Sequence, residues 1–137
     1  MSDKLLSLEN VQAGYGLTQV LQGVNLDVER GSIVSLVGRN GVGKTTTLRS
    51  IIGNISPTGG TITFDGKDIT SMSTEQTIQS GIAFVPEERR IFSELTVREN
   101  IEMGRLGVDA SDGPTVDQIL DMFENLKERE NSHGSVL

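Results

Sequence analysis

The sequence predicts an α/β fold, and three observations predict it. Two segments in the first thirty positions have the composition of β-strands, and in the second of them apolar residues alternate with polar ones. A short apolar run, Ile33 to Val37, is followed by a glycine-rich loop and then by a helical pattern. The rest of the chain carries mainly helix-start signals. Strands, then a strand–loop–helix unit, then helices are the pattern of an α/β domain.

Composition narrows the class of protein. The 137 residues include 16 glycines and no cysteine, and the net charge is −7 at pH 7. An acidic chain is a poor partner for nucleic acid, since binding there depends on neutralising phosphates, so we expect no nucleic-acid partner. Without cysteine there is neither a disulfide framework nor a thiolate metal site. Nowhere do about eighteen apolar residues follow one another, so no membrane-spanning helix is expected.

The first half of the chain is expected to hold three strands and a helix. Leu5–Leu8 and Val20–Val28 are predicted strands, the second with clear alternation, and they lie on either side of a turn-rich segment at 13–16. Ile33–Val37, bounded by glycines, is typical of a strand buried on both faces. A helix should run from Gly43 to Ile52, with Leu48, Ile51 and Ile52 as its apolar stripe, and Gly53 is placed to end it.

The second half shows clear turn and cap signals. Asp65-Gly66 predicts a hairpin between the strands Thr61–Phe64 and Lys67–Ile69. Ile82–Val85 is a further apolar strand, which Pro86 ends. Three capping boxes predict helix starts, and the helix after the third should continue through Leu126; the boxes are Ser73/Gln76, Thr96/Glu99 and Thr115/Gln118. Residues 131–137 carry no clear element, and we expect the single histidine, His133, to be an exposed tail residue.

The stretch from Gly38 to Thr45, Gly-Arg-Asn-Gly-Val-Gly-Lys-Thr, matches the phosphate-loop pattern G-x-x-x-x-G-K-[ST] at every fixed position. By composition this pattern should arise by chance in roughly one of a hundred such chains. Glycines let the backbone wrap around a polyphosphate so that its N–H groups point inward. Lys44 would bring a charge to the β- and γ-phosphates, and the Thr45 hydroxyl is a hard oxygen ligand for Mg²⁺. The alternative is a glycine-rich turn that only joins strand to helix.

Two further residues allow both a functional and an ordinary interpretation. Tyr15 is the only tyrosine, and its glycine neighbours leave the ring face open. It could stack on a nucleotide base, or it could be an ordinary turn aromatic. Glu87 follows a strand-ending proline and is either a catalytic carboxylate or a solvated loop residue. Local sequence alone favours the ordinary interpretation of both residues.

Several segments together resemble a known family. They are Tyr15-Gly16, the phosphate loop, Gly60-Thr61-Ile62, Val85-Pro86-Glu87 and Leu95-Thr96-Val97-Arg98-Glu99-Asn100. With them the chain resembles, from Leu5 to about Arg129, the ATP-binding cassette subunits of ABC transporters. Residues 81–92 and 95–100 closely resemble the import ATPases for branched-chain amino acids and their urea and amide relatives.

The resemblance implies a P-loop nucleotide hydrolase of the ABC ATPase type, with ATP and Mg²⁺ as cofactors. It implies a nucleotide-binding core part at 1–95 and the start of a helical subdomain at 96–137. Tyr15 would stack on adenine, while Lys44 and Glu87 would be the catalytic residues and Thr45 and Glu87 the metal ligands. The phosphates would lie among Gly38, Asn40, Gly41, Val42, Gly43, Lys44, Thr45 and Thr46. The position of Glu87 is most often glutamine in the family, and Glu88 replaces a usual glycine.

The resemblance also implies partners and a location. Membrane permease subunits and a second ATP-binding subunit would be the partners, and the chain would lie on the cytoplasmic face of the inner membrane. The sequence contains no Leu-Ser-Gly-Gly signature, no strand ending in Asp-Glu and no switch histidine after such a strand. We therefore expect a domain truncated after its phosphate loop, which binds Mg-ATP without efficient turnover.

Truncation would also affect stability. In the family the strands at 33–37 and 82–85 are separated by two others that have no counterpart in the sequence, so apolar faces and strand edges would stay open. We expect the chain to be unstable or prone to aggregate unless another chain fills that gap. Two alternatives remain: a nucleotide-binding regulatory module that does not hydrolyse, and a nonfunctional fragment.

Overall fold

A computed structural model of the chain describes residues 3–39, 41, 43–88, 90–106 and 113–137. The chain divides into two compact units, Met1–Ala83 and Phe84–Leu137. The domain division at residue 95 remains a prediction.

The first unit is built on an antiparallel sheet. Its strands are β1 (Lys4–Tyr15), β2 (Thr18–Glu29), β3 (Gly59–Phe64) and β4 (Lys67–Asp68), and their order in the sheet is β2-β1-β3-β4. Leu8 of β1 lies opposite Leu26 of β2 on one side and Ile62 of β3 on the other. The predicted N-terminal antiparallel strands are confirmed, and β1 and β2 extend beyond the predicted segments.

Tight turns connect these strands. Tyr15 pairs with Thr18 across a two-residue turn, so the break between β1 and β2 is shorter than the predicted 13–16 segment. The hairpin at Asp65-Gly66 is confirmed: both residues have positive φ, 47° and 79°, as a type I′ turn requires.

One helix, α1 (Lys44–Ile51), packs on this sheet. The core beneath it contains apolar side chains from three strands, from α1 and from the segment after β4, namely Leu8, Val11, Ala13, Leu21, Ile51, Ile62 and Ile69. Ile51 and Ile52 are buried as predicted, whereas Leu48 is 44% exposed. The predicted apolar stripe of the helix is therefore only partly buried. A short helix, α2 (Thr74–Gln79), follows, and its predicted capping box is present.

The second unit is helical. It contains α3 (Val97–Met103), α4 (Val116–Met122), α5 (Glu124–Lys127) and a 3₁₀ turn at Gly134–Val136. The capping boxes of Thr96 and Thr115 are confirmed. The prediction of one helix through Leu126 is wrong, because Phe123 leaves helical geometry (φ −128°, ψ 84°) and separates α4 from α5.

The tail contains more structure than its composition predicts. The N–H groups of Val97 and Arg98 donate to the carbonyls of Ser132 and Glu130, each at 2.9 Å. His133 is exposed, as expected, and forms a bridge to Thr96. The Arg98 guanidinium donates to Glu130 at 2.7 Å and to Asp117 at 2.5 Å. The tail thus covers the first turn of α3 and supplies acceptors that the sequence pattern did not reveal.

The two apolar segments expected to be strands are not strands. Residues 32–39 and 82–86 form no regular element. Ile33 is 97% exposed, Val37 is 84% exposed and Val85 is 89% exposed. An apolar run becomes a strand only where another strand pairs with its backbone. In the described part of the chain no strand lies beside either segment, so both predictions are wrong for this structure.

Within the described residues, no helix has the length and apolar character needed to cross a bilayer.

Candidate phosphate-binding site

The loop that precedes α1 ends at a position where only glycine fits well. Gly43 is the N-cap of α1, is buried and has φ 110°. A Cβ there would lie 2.8 Å from Cδ2 of Leu21, a core side chain that is 2% exposed. A side chain at this position would therefore suffer both backbone strain and a close contact. The motif's third glycine thus lets the loop backbone lie against β2.

The N-terminus of α1 differs from those of the helices with capping boxes. It has no side-chain cap and no acidic residue in its first turn, whereas α2, α3 and α4 have both. The first hydrogen bond within α1 runs from Thr47 N to the Gly43 carbonyl at 2.8 Å. The N–H groups of residues 44–46 have no acceptor within the helix, and with the helix dipole they favour an anion.

Lys44 begins α1 and closes the loop. Its Nζ donates a hydrogen bond to the carbonyl oxygen of Gly38, the first residue of the motif. An ammonium bonds more strongly to a charged oxygen than to a neutral carbonyl. A phosphate oxygen at the loop would therefore compete well for Lys44.

The three threonines that follow have different surroundings. Thr46 and Thr47 are buried, at 5% and 3% exposed. The Thr47 hydroxyl donates to the Gly43 carbonyl at 2.8 Å, within the helix. Thr45 is exposed. A hydroxyl oxygen beside a phosphate site fits the hard-oxygen preference of Mg²⁺.

Tyr15 lies at the end of β1, beside α1, and is 46% exposed. Its hydroxyl oxygen accepts hydrogen bonds from Arg49 Nη1 at 3.3 Å and from Thr46 Oγ1 at 3.5 Å. The hydrogen bond from Thr46, and after it the hydrogen bond and the positive charge of Arg49, lower the pKa of Tyr15. Sequence reasoning missed Arg49. Its only signal is that it follows Thr46 by three positions on a helix, which places both side chains on one face.

The other predicted site residues are distributed as follows. Gly38 and Gly41 are exposed loop residues, and Asn40 and Val42 lie outside the described residues. Glu87 belongs to the second unit, where it is exposed and lines a shallow cleft with Val85, Pro86, Glu88, Arg90 and Ile91. Among the residues that the structure describes, no group of three or more His, Cys, Asp or Glu side chains could hold a metal ion. In the first unit the structure thus groups Tyr15, Gly38, Gly43, Lys44, Thr45 and Thr46 around the start of α1.

The phosphate-loop pattern of the sequence thus leads directly into the N-terminus of α1. The family model described as ABC transporter matches residues 21–136. The chain therefore belongs to the ABC transporter family.

Individual relatives agree with this assignment. The chain is 39% identical over 126 residues to the high-affinity branched-chain amino acid transport ATP-binding protein BraG of Pseudomonas aeruginosa, covering 91% of this chain and 54% of that one. It is also 39% identical over 97 residues to the lipopolysaccharide export system ATP-binding protein LptB of Haemophilus influenzae, covering 71% and 40%. The chain thus spans 54% and 40% of the length of these two relatives.

The fold is that of the ATP-binding cassettes. The chain is similar to a solved structure described as an ATP binding subunit of an ABC transporter, with a TM-score of 0.81 and 29% identity. The match covers 94% of this chain and 54% of the chain in that structure. The predicted fold class is confirmed.

Proposed function

We propose that this chain binds Mg-ATP at the loop 38–45 as the nucleotide-binding part of an ABC transporter ATP-binding subunit. The proposal rests on the hydrogen bond that Lys44 Nζ donates to the Gly38 carbonyl oxygen. Lys44 begins α1, and the N-terminus of this helix has no side-chain cap. A cationic donor and free helix N–H groups at one point are the requirements of a polyphosphate site.

Each site residue has a proposed role. Lys44 exchanges the Gly38 carbonyl for β- and γ-phosphate oxygens, and the Thr45 hydroxyl binds Mg²⁺. Tyr15 stacks on adenine, for which its half-exposed ring leaves room. The backbone of the loop and of the first turn of α1 surrounds the phosphates, and this includes Asn40, Val42 and Thr46. Glu87 acts as a further Mg²⁺ ligand and as a catalytic residue, as the family resemblance implies.

For the transporter we propose import of branched-chain amino acids. The relatives' names cover more than one cargo, since one names branched-chain amino acid transport and another lipopolysaccharide export. Both proteins are 39% identical to this chain. The match to the amino-acid transport protein covers 91% of this chain, whereas the match to the lipopolysaccharide export protein covers 71%. Permease subunits and a second ATP-binding subunit are the proposed partners, at the cytoplasmic face of the inner membrane.

Calorimetric titration with Mg-ATP tests the binding site. Lys44→Ala removes the one charged side chain at the start of α1, and a charge-assisted hydrogen bond contributes about 1.5–3 kcal/mol. We therefore expect the affinity to fall about 10- to 150-fold. Lys67→Ala is the matched control, because it removes the same charge from an exposed residue of β4. Equal affinity in Lys44→Ala and the wild-type chain would contradict the proposal.

A further inference from the structure

The hydroxyl of Tyr15 is held by the same helix that begins with Lys44. Arg49 Nη1 and Thr46 Oγ1 both donate to it, at 3.3 Å and 3.5 Å. Thr46 and Arg49 are separated by one helical turn, so they lie on one face of α1. The helix thus contacts the tyrosine through its side chains and the phosphate loop through its first turn.

We infer that Arg49, together with Thr46, is a positioning residue that fixes the ring of Tyr15 for stacking on a nucleotide base. The inference rests on the proposed function. It assigns to α1 two tasks: its N-terminus binds the phosphates, and its Thr46–Arg49 face sets the position of the ring that binds the base.

Burial explains why these contacts can orient the ring. Thr46 is 5% exposed and is fixed within α1, while Arg49 is half-buried. Tyr15 is 46% exposed, so packing alone leaves its ring partly unsupported. Two donors at the far end of the phenol limit its rotation and leave the remaining ring surface for a ligand. A ring that is ordered before binding loses less conformational entropy when the base arrives.

The expected effect on affinity follows from that entropy. Ordering one side chain on binding weakens association by about two- to tenfold. The effect should be confined to ligands that carry a base. Inorganic tripolyphosphate, which has no base, should bind equally well with or without Arg49.

The contact itself can be tested without any ligand. Because the chain has one tyrosine and no tryptophan, the ultraviolet absorbance of tyrosinate reports Tyr15 alone. The hydrogen bonds from Thr46 and Arg49 lower the pKa of Tyr15. Arg49→Met should therefore raise this pKa towards its ordinary value of about 10. Lys67→Met, an equal change of charge on β4, should leave it where it is in the wild-type chain.

The functional arm compares ATP with tripolyphosphate in four proteins: the wild-type chain, Arg49→Met, Tyr15→Phe and the double variant. Both single variants should bind ATP about two- to tenfold more weakly and tripolyphosphate unchanged. Because both changes break the same contact, the double variant should be no weaker than the weaker single variant. Arg49→Ala, which also removes the donor, replaces Arg49→Met if circular dichroism shows that the latter is unfolded.

Other outcomes overturn the inference. If Arg49→Met weakens both ligands equally, Arg49 acts on the phosphates or on the helix and not on the ring. If neither variant changes ATP binding, the inference fails while the proposed function stands. If the wild-type chain binds neither ligand, the proposed function fails and the inference falls with it.

Discussion

At the scale of single residues, Asp27 links the stability of the sheet to pH. Its carboxylate pairs with Lys4 Nζ at 2.8 Å and accepts a hydrogen bond from the Ser7 hydroxyl at 2.7 Å. The bond from Lys4, and then that from Ser7, lower the pKa of Asp27. A carboxylate with a lowered folded pKa stabilises the fold above its unfolded pKa, and this contribution is lost as the pH falls through the folded pKa.

Asp27→Asn should therefore be less stable than the wild-type chain at neutral pH, and the difference should shrink as the solution is acidified. Urea unfolding from neutral pH to below the ordinary aspartate pKa of about 3.9 measures this difference. A difference that stays constant with pH would show that Asp27 does not contribute through its charge.

Gly60 provides a second prediction for a single residue. It has φ 80°, and a Cβ would lie 2.3 Å from the carbonyl oxygen of Asn10, a backbone atom of the neighbouring strand. Gly66 has almost the same φ, 79°, with nothing within 4 Å of a Cβ. Gly60→Ala should cost about 2–4 kcal/mol of unfolding free energy, and Gly66→Ala about 1 kcal/mol. Chemical denaturation that gives equal costs would exclude the contact with Asn10 as the cause.

How much of the site the sequence could predict depends on the residue. The place of Gly43 and Lys44 at the start of a helix was predictable because the phosphate-loop pattern fixes their spacing within eight residues, while their role in phosphate binding stays a prediction. Arg49 was not, because its contact with Tyr15 joins residues 34 positions apart and depends on how α1 lies against the end of β1. No short-range pattern contains that information.

At the scale of the elements, the predicted helix starts can be tested one by one. In α4 the Thr115 hydroxyl accepts from Gln118 N at 3.1 Å, while Gln118 Oε1 accepts from Thr115 N at 2.8 Å. Thr115→Ala should destabilise α4 by about 1 kcal/mol, and Thr115→Ser, which keeps the hydroxyl, should retain most of the stability. Hydrogen exchange of the amides of α4 measures this. Equal exchange in both variants would show that the cap does not stabilise the helix.

The elements also show where sequence patterns fail. The capping boxes were predicted correctly because each is complete within four residues. The strands at 33–37 and 82–85 were not, because an apolar run reports what a segment can bury and not whether a neighbouring strand is present. The tail was missed for a related reason: its backbone pairs with residues some 35 positions earlier, at the start of α3.

At the scale of the whole molecule, segment 33–37 is an exposed apolar surface. Ile33 and Val37 are 97% and 84% exposed. Unpaired apolar segments of this kind favour association with other chains. Ile33→Lys together with Val37→Lys should change the unfolding free energy by less than about 0.5 kcal/mol, because neither side chain is buried.

The same double variant should self-associate less than the wild-type chain in light scattering. Leu17→Lys is the control, since it replaces a single fully exposed apolar residue in a turn. A wild-type chain that stays monomeric at all concentrations, or equal association in both proteins, would contradict this explanation.

The central claim is that the loop 38–45 binds Mg-ATP. The most direct measurement is the melting temperature as a function of Mg-ATP concentration, for the wild-type chain and for Lys44→Ala. A ligand that binds only the folded state stabilises it by RT ln(1 + [L]/Kd), about 2.7 kcal/mol at one hundred times Kd. The account predicts that the melting temperature of the wild-type chain rises steadily with the logarithm of the concentration, while that of Lys44→Ala begins to rise only at about 10- to 150-fold higher Mg-ATP. An equal rise in both proteins, or no rise in either, would contradict it.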